Sequence, residues 1–293
     1  MEQFHIIVIG GGGTGAAVIH DLTQRGFKAT LVERGELTSG TTGRHHGLLH
    51  SGARYVVNDP ESAIECIEEN MILRKIAPES LELNEGLFVA ITEEDETFSE
   101  AFLAGCEACH IPTRVLTPKQ ALELEPNLNP NLRLAVQIPD GTIDAWRLPL
   151  HFFATAKHRG ADIRPFSEVV GLLKQAGAVT GVRVLDHRIN KEYDLHGDLV
   201  VNASGAWAEQ ITQMAEAEVP VTPSPGVMVA VHGRYHNMVI NCLHPSGDGD
   251  IIVPQRNLSV IGTTSWVVKD PDRLGIPEDH VQLMFKTGGE LVP

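Results

Sequence analysis

His5-Ile6-Ile7-Val8-Ile9-Gly10-Gly11-Gly12-Gly13-Thr14-Gly15 opens the chain and decides how its first half is read. The stretch His5 to Ile9 is β-branched and apolar on both faces, as a strand buried inside a parallel sheet must be. A tight turn follows. Gly10 permits it, Gly12 leaves no side chain between the backbone and a pyrophosphate, and Gly15 lets a helix starting near Gly13 pack closely on the strand. Such a helix points its N–H groups and positive dipole end at phosphates. It runs through Ala16, Ala17, Ile19 and Leu22 to a cap at Gly26. Lys28-Ala29-Thr30-Leu31-Val32 then re-enters the sheet and ends at Glu33, where a carboxylate accepts hydrogen bonds from ribose hydroxyls. A glycine-rich turn alone is a weak signal. Strand, turn, helix, second strand and terminal acid in that order predict a dinucleotide site.

No further periodic element follows Glu33. The chain enters a segment dense in glycine, hydroxyls, histidine and arginine, from Arg34 through Thr41-Thr42-Gly43-Arg44-His45-His46-Gly47-Leu48-Leu49-His50-Ser51-Gly52-Ala53-Arg54-Tyr55. A nicotinamide enzyme would pass through a short loop into another helix. A long polar segment can instead run beside an extended cofactor and present donors to it, which favours FAD over NAD.

Net charge of −15 argues against nucleic acid or anionic lipid as a direct partner, since both reward clustered Lys and Arg. No apolar run reaches about 18 residues, so no membrane span is expected. The first strand begins too early for a charged leader and cleavage site, and cytoplasmic residence is the expectation. With 4 cysteines and no signal peptide, reduced thiols are expected. Cys106-Glu107-Ala108-Cys109-His110 matches a c-type haem attachment pattern, yet Phe98, Phe102 and Cys106 at helical spacing make the segment an amphipathic helix with apolar cysteines. His46 and His50 would share a helix face, but Gly43, Gly47 and Gly52 break any such helix, so no metal is expected.

Further along, Asp59-Pro60-Glu61 starts a helix whose buried face is read as Ile64, Ile67, Met71 and Ile76, ended by Pro78. Gly86 to Thr92 reads as a strand, Glu94 to His110 as a helix, and Thr117 with Gln120 as a capping box. Arg147 to Arg159 looks helical, and Asp162 to Leu195 alternates like an antiparallel meander. Asp198 to Asn202 is another buried strand. It ends in Ala203-Ser204-Gly205-Ala206-Trp207, small residues opening a helix that can abut the cofactor. Gly226 to Val231, Met238 to Leu243, Asp250 to Pro254 and Leu258 to Thr264 suggest a second, mostly antiparallel sheet. Gly288 to Pro293 reads as an end without a closing element. The expected fold is α/β, a Rossmann-like domain with helices on both faces of a parallel sheet (residues 1–77 and 147–215). An α+β substrate domain, incomplete at its C-terminus, takes residues 78–146 and 216–293.

These residues resemble FAD-dependent oxidoreductases of the D-amino-acid-oxidase and glycerol-3-phosphate-dehydrogenase type, and most nearly the A-subunit branch of the anaerobic glycerol-3-phosphate dehydrogenases. The resemblance rests on Val8 to Gly12 with Thr14-Gly15-Ala16, Thr42-Gly43-Arg44, His46 to Tyr55, Pro139-Asp140-Gly141-Thr142, Val201-Asn202-Ala203 and Ile261 to Ser265. His45 stands where the family has asparagine, Ser204 where it has alanine, and Ser224-Pro225 where a lysine precedes Gly226. Members continue through a further flavin segment and an iron–sulfur domain, so the chain reads as an N-terminal fragment. The resemblance implies oxidation of glycerol 3-phosphate to dihydroxyacetone phosphate. Electrons would pass through partner subunits to a quinone at the inner face of the cytoplasmic membrane.

With FAD as hydride acceptor, the alcohol also needs a proton acceptor and an anion clamp. His50 is assigned to the first, Arg54 to the second, and Tyr55 to positioning either. The competing reading has His50 bonded to backbone and Arg54 paired with an acid. Gly10, Gly12, Gly13, Thr14, Gly15, Glu33, Arg34, Ala203, Gly205 and Trp207 are expected to contact FAD. So are His46, Gly47 and Leu49. Thr41, Thr42, Arg44 and His45 would bond its pyrophosphate or flavin edge, or else cap a loop. Val169 lies against adenine by the same resemblance, or is a plain strand residue. A flavin amine oxidase, a non-catalytic FAD-binding fragment and an NAD-linked dehydrogenase are the alternatives.

Overall fold

A computed structural model of the chain describes residues 4–245 and 251–293. They form two compact units. One holds the chain up to His45 with Ala145–Pro223 and Val268–Asp272, and the other holds His46–Asp144, Ser224–Val267 and Arg273–Pro293. The expected division at residue 77 therefore differs from the compact units, which place residues 46–77 in the second. Ala63 and Ile67 explain why, since they pack with Phe88, Phe102 and Ile138 of that unit.

In the first unit, β1 (His5–Ile9) lies between β2 (Lys28–Val32) and the strand Leu199–Asn202, parallel to both. Side-chain alternation then sorts the core by face. Val8 and Leu31 pack on Ile19 of α1 (Gly13–Gln24) and on Phe153 and Ala156 of the helix Arg147–His158. Ile7, Ile9 and Val32 meet Val169, Val182 and Val184 of the antiparallel strands Ser167–Gln175 and Ala178–Asp186, with Ile211 and Met214 of the helix Ala208–Met214 alongside. Each fully buried Ile or Leu contributes about 1.5–3 kcal/mol. One correction concerns Asp162–Arg164, expected in the meander. It is instead the parallel edge strand beside β2, with Thr30 opposite Asp162. Its Ile163 packs against the β1–α1 core, which the meander pattern hid.

The second unit is organised by a seven-stranded sheet. Its order is Met228–His232, Leu258–Gly262, Ile251–Gln255, Val239–Cys242, Gly86–Ala90, Leu134–Ile138 and Arg114–Leu116. All neighbours are antiparallel except Val239–Cys242 with Gly86–Ala90. Asp250, expected in one of these strands, lies outside the described residues. A small sheet joins Leu48–Leu49 and Leu81–Glu82 to Gly141–Ile143.

Two helices of this unit depart from expectation. In α2 (Pro60–Ile76), Asp59 caps the Ser62 N–H at 3.2 Å as expected. The inward face, however, is Ala63, Ile67 and Asn70, while Ile64, Met71 and Ile76 are 36%, 40% and 58% exposed. A polar residue holds an inward position, so a search for apolar spacing turned the helix the wrong way. The second departure is the helix Glu278–Leu291, where no closing element was expected. Met284, Gly288 and Leu291 face inward, and a Cβ at position 288 would stand 2.7 Å from Ile261 Cδ1. The glycine that reads as a breaker is what admits the helix to the sheet. Pro118–Leu124 carries the expected box at Thr117–Gln120, and Glu93–Ala108 carries a second box, at Thr92–Asp95, where a strand end was expected. Cys106 and Cys109 are buried with Phe102 and Phe88, and burial pushes the Cys106 thiol up to about 12.

Candidate functional site

The turn after β1 is shaped by contacts that exclude side chains. Gly10 has φ +108°, and a Cβ there would overlap the Ala203 carbonyl oxygen. A Cβ at position 15 would overlap the Gly10 carbonyl oxygen, so α1 presses directly on the turn. Ala203 is held beside this turn by its N–H, which donates to the Ile9 carbonyl at 2.8 Å. Its neighbour Asn202 accepts from the Ser204 hydroxyl at 2.6 Å and donates to the Ala208 carbonyl at 2.9 Å. The Ser204 hydroxyl thus braces the strand end.

The first intrahelical bond of α1 runs from the Ala16 N–H to the Gly12 carbonyl at 2.9 Å. The amides of Gly13, Thr14 and Gly15 precede it, as anion binding at a helix start requires. The Gly13 amide donates to Thr42 Oγ1 at 2.8 Å. Thr42 therefore contributes to this cradle from the short helix Thr41–Arg44, and a Cβ at position 12 would stand 3.1 Å from the same hydroxyl. His45 ends that turn with part of its surface open to solvent, and the loss of hydration on its packed side lowers its pKa.

Glu33 sits across the turn. Its Oε2 accepts the Gly11 N–H at 2.7 Å and its Oε1 the Gly35 N–H at 2.8 Å, which fixes the carboxylate. Each oxygen retains a lone pair for a ribose hydroxyl. Arg34 stacks over the Trp207 ring at 4.3 Å and pairs with Asp272 at 2.7 Å, while Trp207 Nε1 donates to Asp272 at 3.0 Å. The Arg34 guanidinium, helped by the indole, holds the Asp272 carboxyl below its ordinary range. Val169 is buried among Ile9, Val32 and Val184, so its side chain serves the core.

The structure thus brings Gly10, Gly12, Gly13, Thr14, Gly15, Glu33, Thr42 and Ala203 to one turn of the first unit, and joins Arg34 to Trp207. Gly205 begins the short turn that carries Trp207. His46, Gly47, Leu49, His50, Arg54 and Tyr55 belong to the second unit, since the division falls between His45 and His46.

In the second unit, His46 Nδ1 accepts the Leu48 N–H at 3.2 Å, and Gln255 donates to the His46 carbonyl at 2.9 Å. Leu49 is buried and pairs with Gly141. The rings of His50 and Tyr55 lie 5.7 Å apart at 35°, and burial raises the Tyr55 pKa. Arg54 lines a hollow with Asn58, Phe88, Phe98, Phe102 and His244.

Sequence reasoning missed the groups beneath His50. Asn70 donates to the His50 carbonyl at 2.9 Å, and Asp140 Oδ1 accepts the Ser51 N–H at 2.7 Å. Asp140 is buried, and burial pushes its carboxyl up to about 6 against the pull of Ser51, Asn241 and Arg74. The Pro139 to Thr142 motif contains Asp140 but gives it no role, and Asn70 and Asp272 carry no sequence signal at all. Among the described residues, no group of three or more His, Cys, Asp and Glu side chains is arranged to hold a metal ion. No helix there is long and apolar enough to cross a membrane.

The donor set fits a dinucleotide: a side-chain-free turn, helix-start amides and an oriented carboxylate. Comparison with known proteins agrees. A profile described as FAD dependent oxidoreductase matches residues 5–293. The A1 subunit of the anaerobic glycerol-3-phosphate dehydrogenase of Haloferax volcanii is 45% identical over 98% of this chain and 51% of its own length. The corresponding A subunit of the Escherichia coli K12 enzyme is 41% identical over 100% of this chain and 54% of its own length. The chain spans about half the length of these relatives. Among solved structures, L-proline dehydrogenase from P. horikoshii gives a TM-score of 0.84 at 23% identity, over 100% of this chain and 78% of its own. The FAD-bound L-α-glycerophosphate oxidase of Mycoplasma pneumoniae gives 0.81 at 22%, over 100% and 79%. With the fold, the glycine turn and the family profile in agreement over nearly the whole chain, this protein belongs to the FAD dependent oxidoreductase family.

Proposed function

We propose that the chain is the FAD-binding catalytic portion of a glycerol-3-phosphate dehydrogenase, oxidising sn-glycerol 3-phosphate to dihydroxyacetone phosphate. The observation that carries this reading is 41–45% identity, along essentially the whole chain, to two relatives bearing that name. The first unit is read as the FAD-binding domain and the second as the substrate domain.

FAD, when bound, supplies the two-electron acceptor for hydride from the substrate carbinol carbon. The helix-start amides and glycine turn hold its diphosphate, and Glu33 its ribose. His50 takes the hydroxyl proton as the C–O bond becomes a carbonyl, so charge and electrons balance. Arg54 clamps the substrate phosphate through its forked donors, and Tyr55 limits the swing of the His50 ring. Val169 supports the adenine end only from within the core. The names of the relatives, each one subunit of a larger enzyme, support partner subunits; the reading completes this with onward transfer through them to a quinone and attachment to the membrane by way of those partners.

The test is anaerobic. FAD-loaded chain is mixed with sn-glycerol 3-phosphate, and bleaching of the flavin absorbance is expected. Bleaching by D-amino acids alone would transfer the assignment to an amine oxidase, NADH formation without flavin to an NAD-linked enzyme, and no bleaching by any of them to a non-catalytic fragment.

A further inference from the structure

The peptide group between His50 and Ser51 is gripped on both sides by buried side chains. On its carbonyl side, Asn70 Nδ2 donates at 2.9 Å, and on its amide side the Ser51 N–H donates to Asp140 Oδ1 at 2.7 Å. Asn70, Ser51 and Asp140 are 1%, 0% and 3% exposed, so water does not compete for these bonds. Neither holder is loose. Arg74, one turn beyond Asn70 on α2, donates from Nε to Asn70 Oδ1 at 2.6 Å and from Nη2 to the Pro139 carbonyl at 2.8 Å and the Asp140 carbonyl at 3.3 Å. Asn241, on a central strand of the seven-stranded sheet, donates to Asp140 Oδ2 at 3.4 Å. The peptide is thereby tied to a helix on one side and to the sheet on the other.

Such an arrangement is costly as a way of stabilising a fold. A buried carboxylate loses its hydration, and apolar residues of similar volume usually serve stability as well or better. A buried, fully partnered polar network does specify one geometry. Leu49, on the other side of His50, is buried and paired with Gly141, so the backbone is held before and after the histidine. With the backbone set, side-chain torsions place the imidazole, whose ring lies 5.7 Å from that of Tyr55.

We propose that Asn70 and Asp140 are positioning residues that clamp the His50–Ser51 peptide and so fix where the His50 imidazole stands for proton transfer. This rests on the assignment of His50 as proton acceptor. Displacing a catalytic group by about 1 Å costs on the order of 100-fold in rate, which sets the size of the effect.

The test uses the full 293-residue chain loaded with FAD. Asp140→Ala is expected to slow flavin reduction by glycerol 3-phosphate by on the order of 100-fold, with half-saturation changed less than about twofold. Asp140→Asn, whose amide oxygen still accepts the Ser51 N–H, is expected to recover most of that loss. In a His50→Ala background, Asp140→Ala is expected to add nothing. Independently of turnover, hydrogen exchange at the Ser51 amide should be slow in the parent and in Asp140→Asn, and at least about 100-fold faster in Asp140→Ala. Exchange at Ile7 and Leu87 should not change. Unaltered Ser51 exchange, or an equal loss from Asp140→Ala with and without His50, overturns the clamp. If His50→Ala reduces flavin at the parental rate, the assignment of His50 falls, and Ser51 exchange still decides whether the peptide is clamped. Should Asp140→Ala fail to fold, Asn70→Ala opens the carbonyl side and is read by the same exchange and rate measurements.

Discussion

The Thr42 hydroxyl accepts the Gly13 amide N–H at 2.8 Å, joining the polar segment to the first turn of α1. A hydroxyl at a helix start is worth about 1 kcal/mol. Thr42→Ala is therefore expected to lower the stability of the FAD-free chain by about that amount, and Thr42→Ser to restore most of it. Urea unfolding midpoints measure both.

Gly15→Ala places a methyl group onto the Gly10 carbonyl oxygen, backbone against backbone, with no flexible side chain to yield. A stability loss of about 1–3 kcal/mol is expected, together with loss of bound flavin. The control is Gly26→Ala, where a Cβ meets nothing within 4 Å but φ is +82°, so only local strain is added. That variant should purify yellow, and Gly15→Ala colourless.

Acid titration separates two buried groups of opposite sign. Burial raises Asp140 from 3.8 to about 6, so the folded chain holds a proton there that the unfolded chain has released. The associated stability is fully present below about 4 and is lost as pH rises through about 6, a change of about 3 kcal/mol at 1.36 kcal/mol per unit. In Asp140→Asn this part of the pH–stability curve should flatten. An unchanged curve would refute the assignment.

His236 acts the other way. It is 3% exposed, its Nδ1 donates to the Met238 carbonyl at 2.6 Å, and burial lowers its pKa below 6.5. Unfolding lets it take up a proton, so stability present above 6.5 is lost as pH falls toward the folded value. His236→Asn keeps a donor for the Met238 carbonyl without titrating. It is expected to lessen the loss below 6.5, read from unfolding midpoints across the range.

Asp272→Asn removes the charge that pairs with Arg34 but leaves an acceptor for the Trp207 indole. Both partners of the ion pair are near half exposed, so a cost below about 1 kcal/mol is expected. Loosening of Arg34 over the ring should change Trp207 fluorescence. Arg34→Ala should change it further, and should weaken FAD binding if the stacked pair serves the cofactor.

The opening β–α–β unit was legible because its reasons are local. Gly15 packs on Gly10 five positions earlier, and the β-branched run, the glycine turn and the acid closing the second strand follow one another in order along the chain. Caps at Asp59 and Thr117 were legible for the same reason. What failed was the inward face of α2 and the existence of the helix Glu278–Leu291. In α2 the inward position belongs to Asn70, and in Glu278–Leu291 it belongs to Gly288, neither of which counts as apolar in a periodicity search.

By itself, the sequence determined the family, the parallel start of the sheet and the residue types that cradle a dinucleotide, because backbone sterics and hydrophobic alternation act over short range. Tertiary structure alone decided that Thr42 reaches the Gly13 amide, that Asp272 ties Arg34 to Trp207, and that Asn70 and Asp140 hold the peptide after His50. Those bonds join residues 29, 65, 238, 20 and 89 positions apart. Buried polar groups must find partners wherever the packed chain offers them, and no local pattern records which ones it will offer.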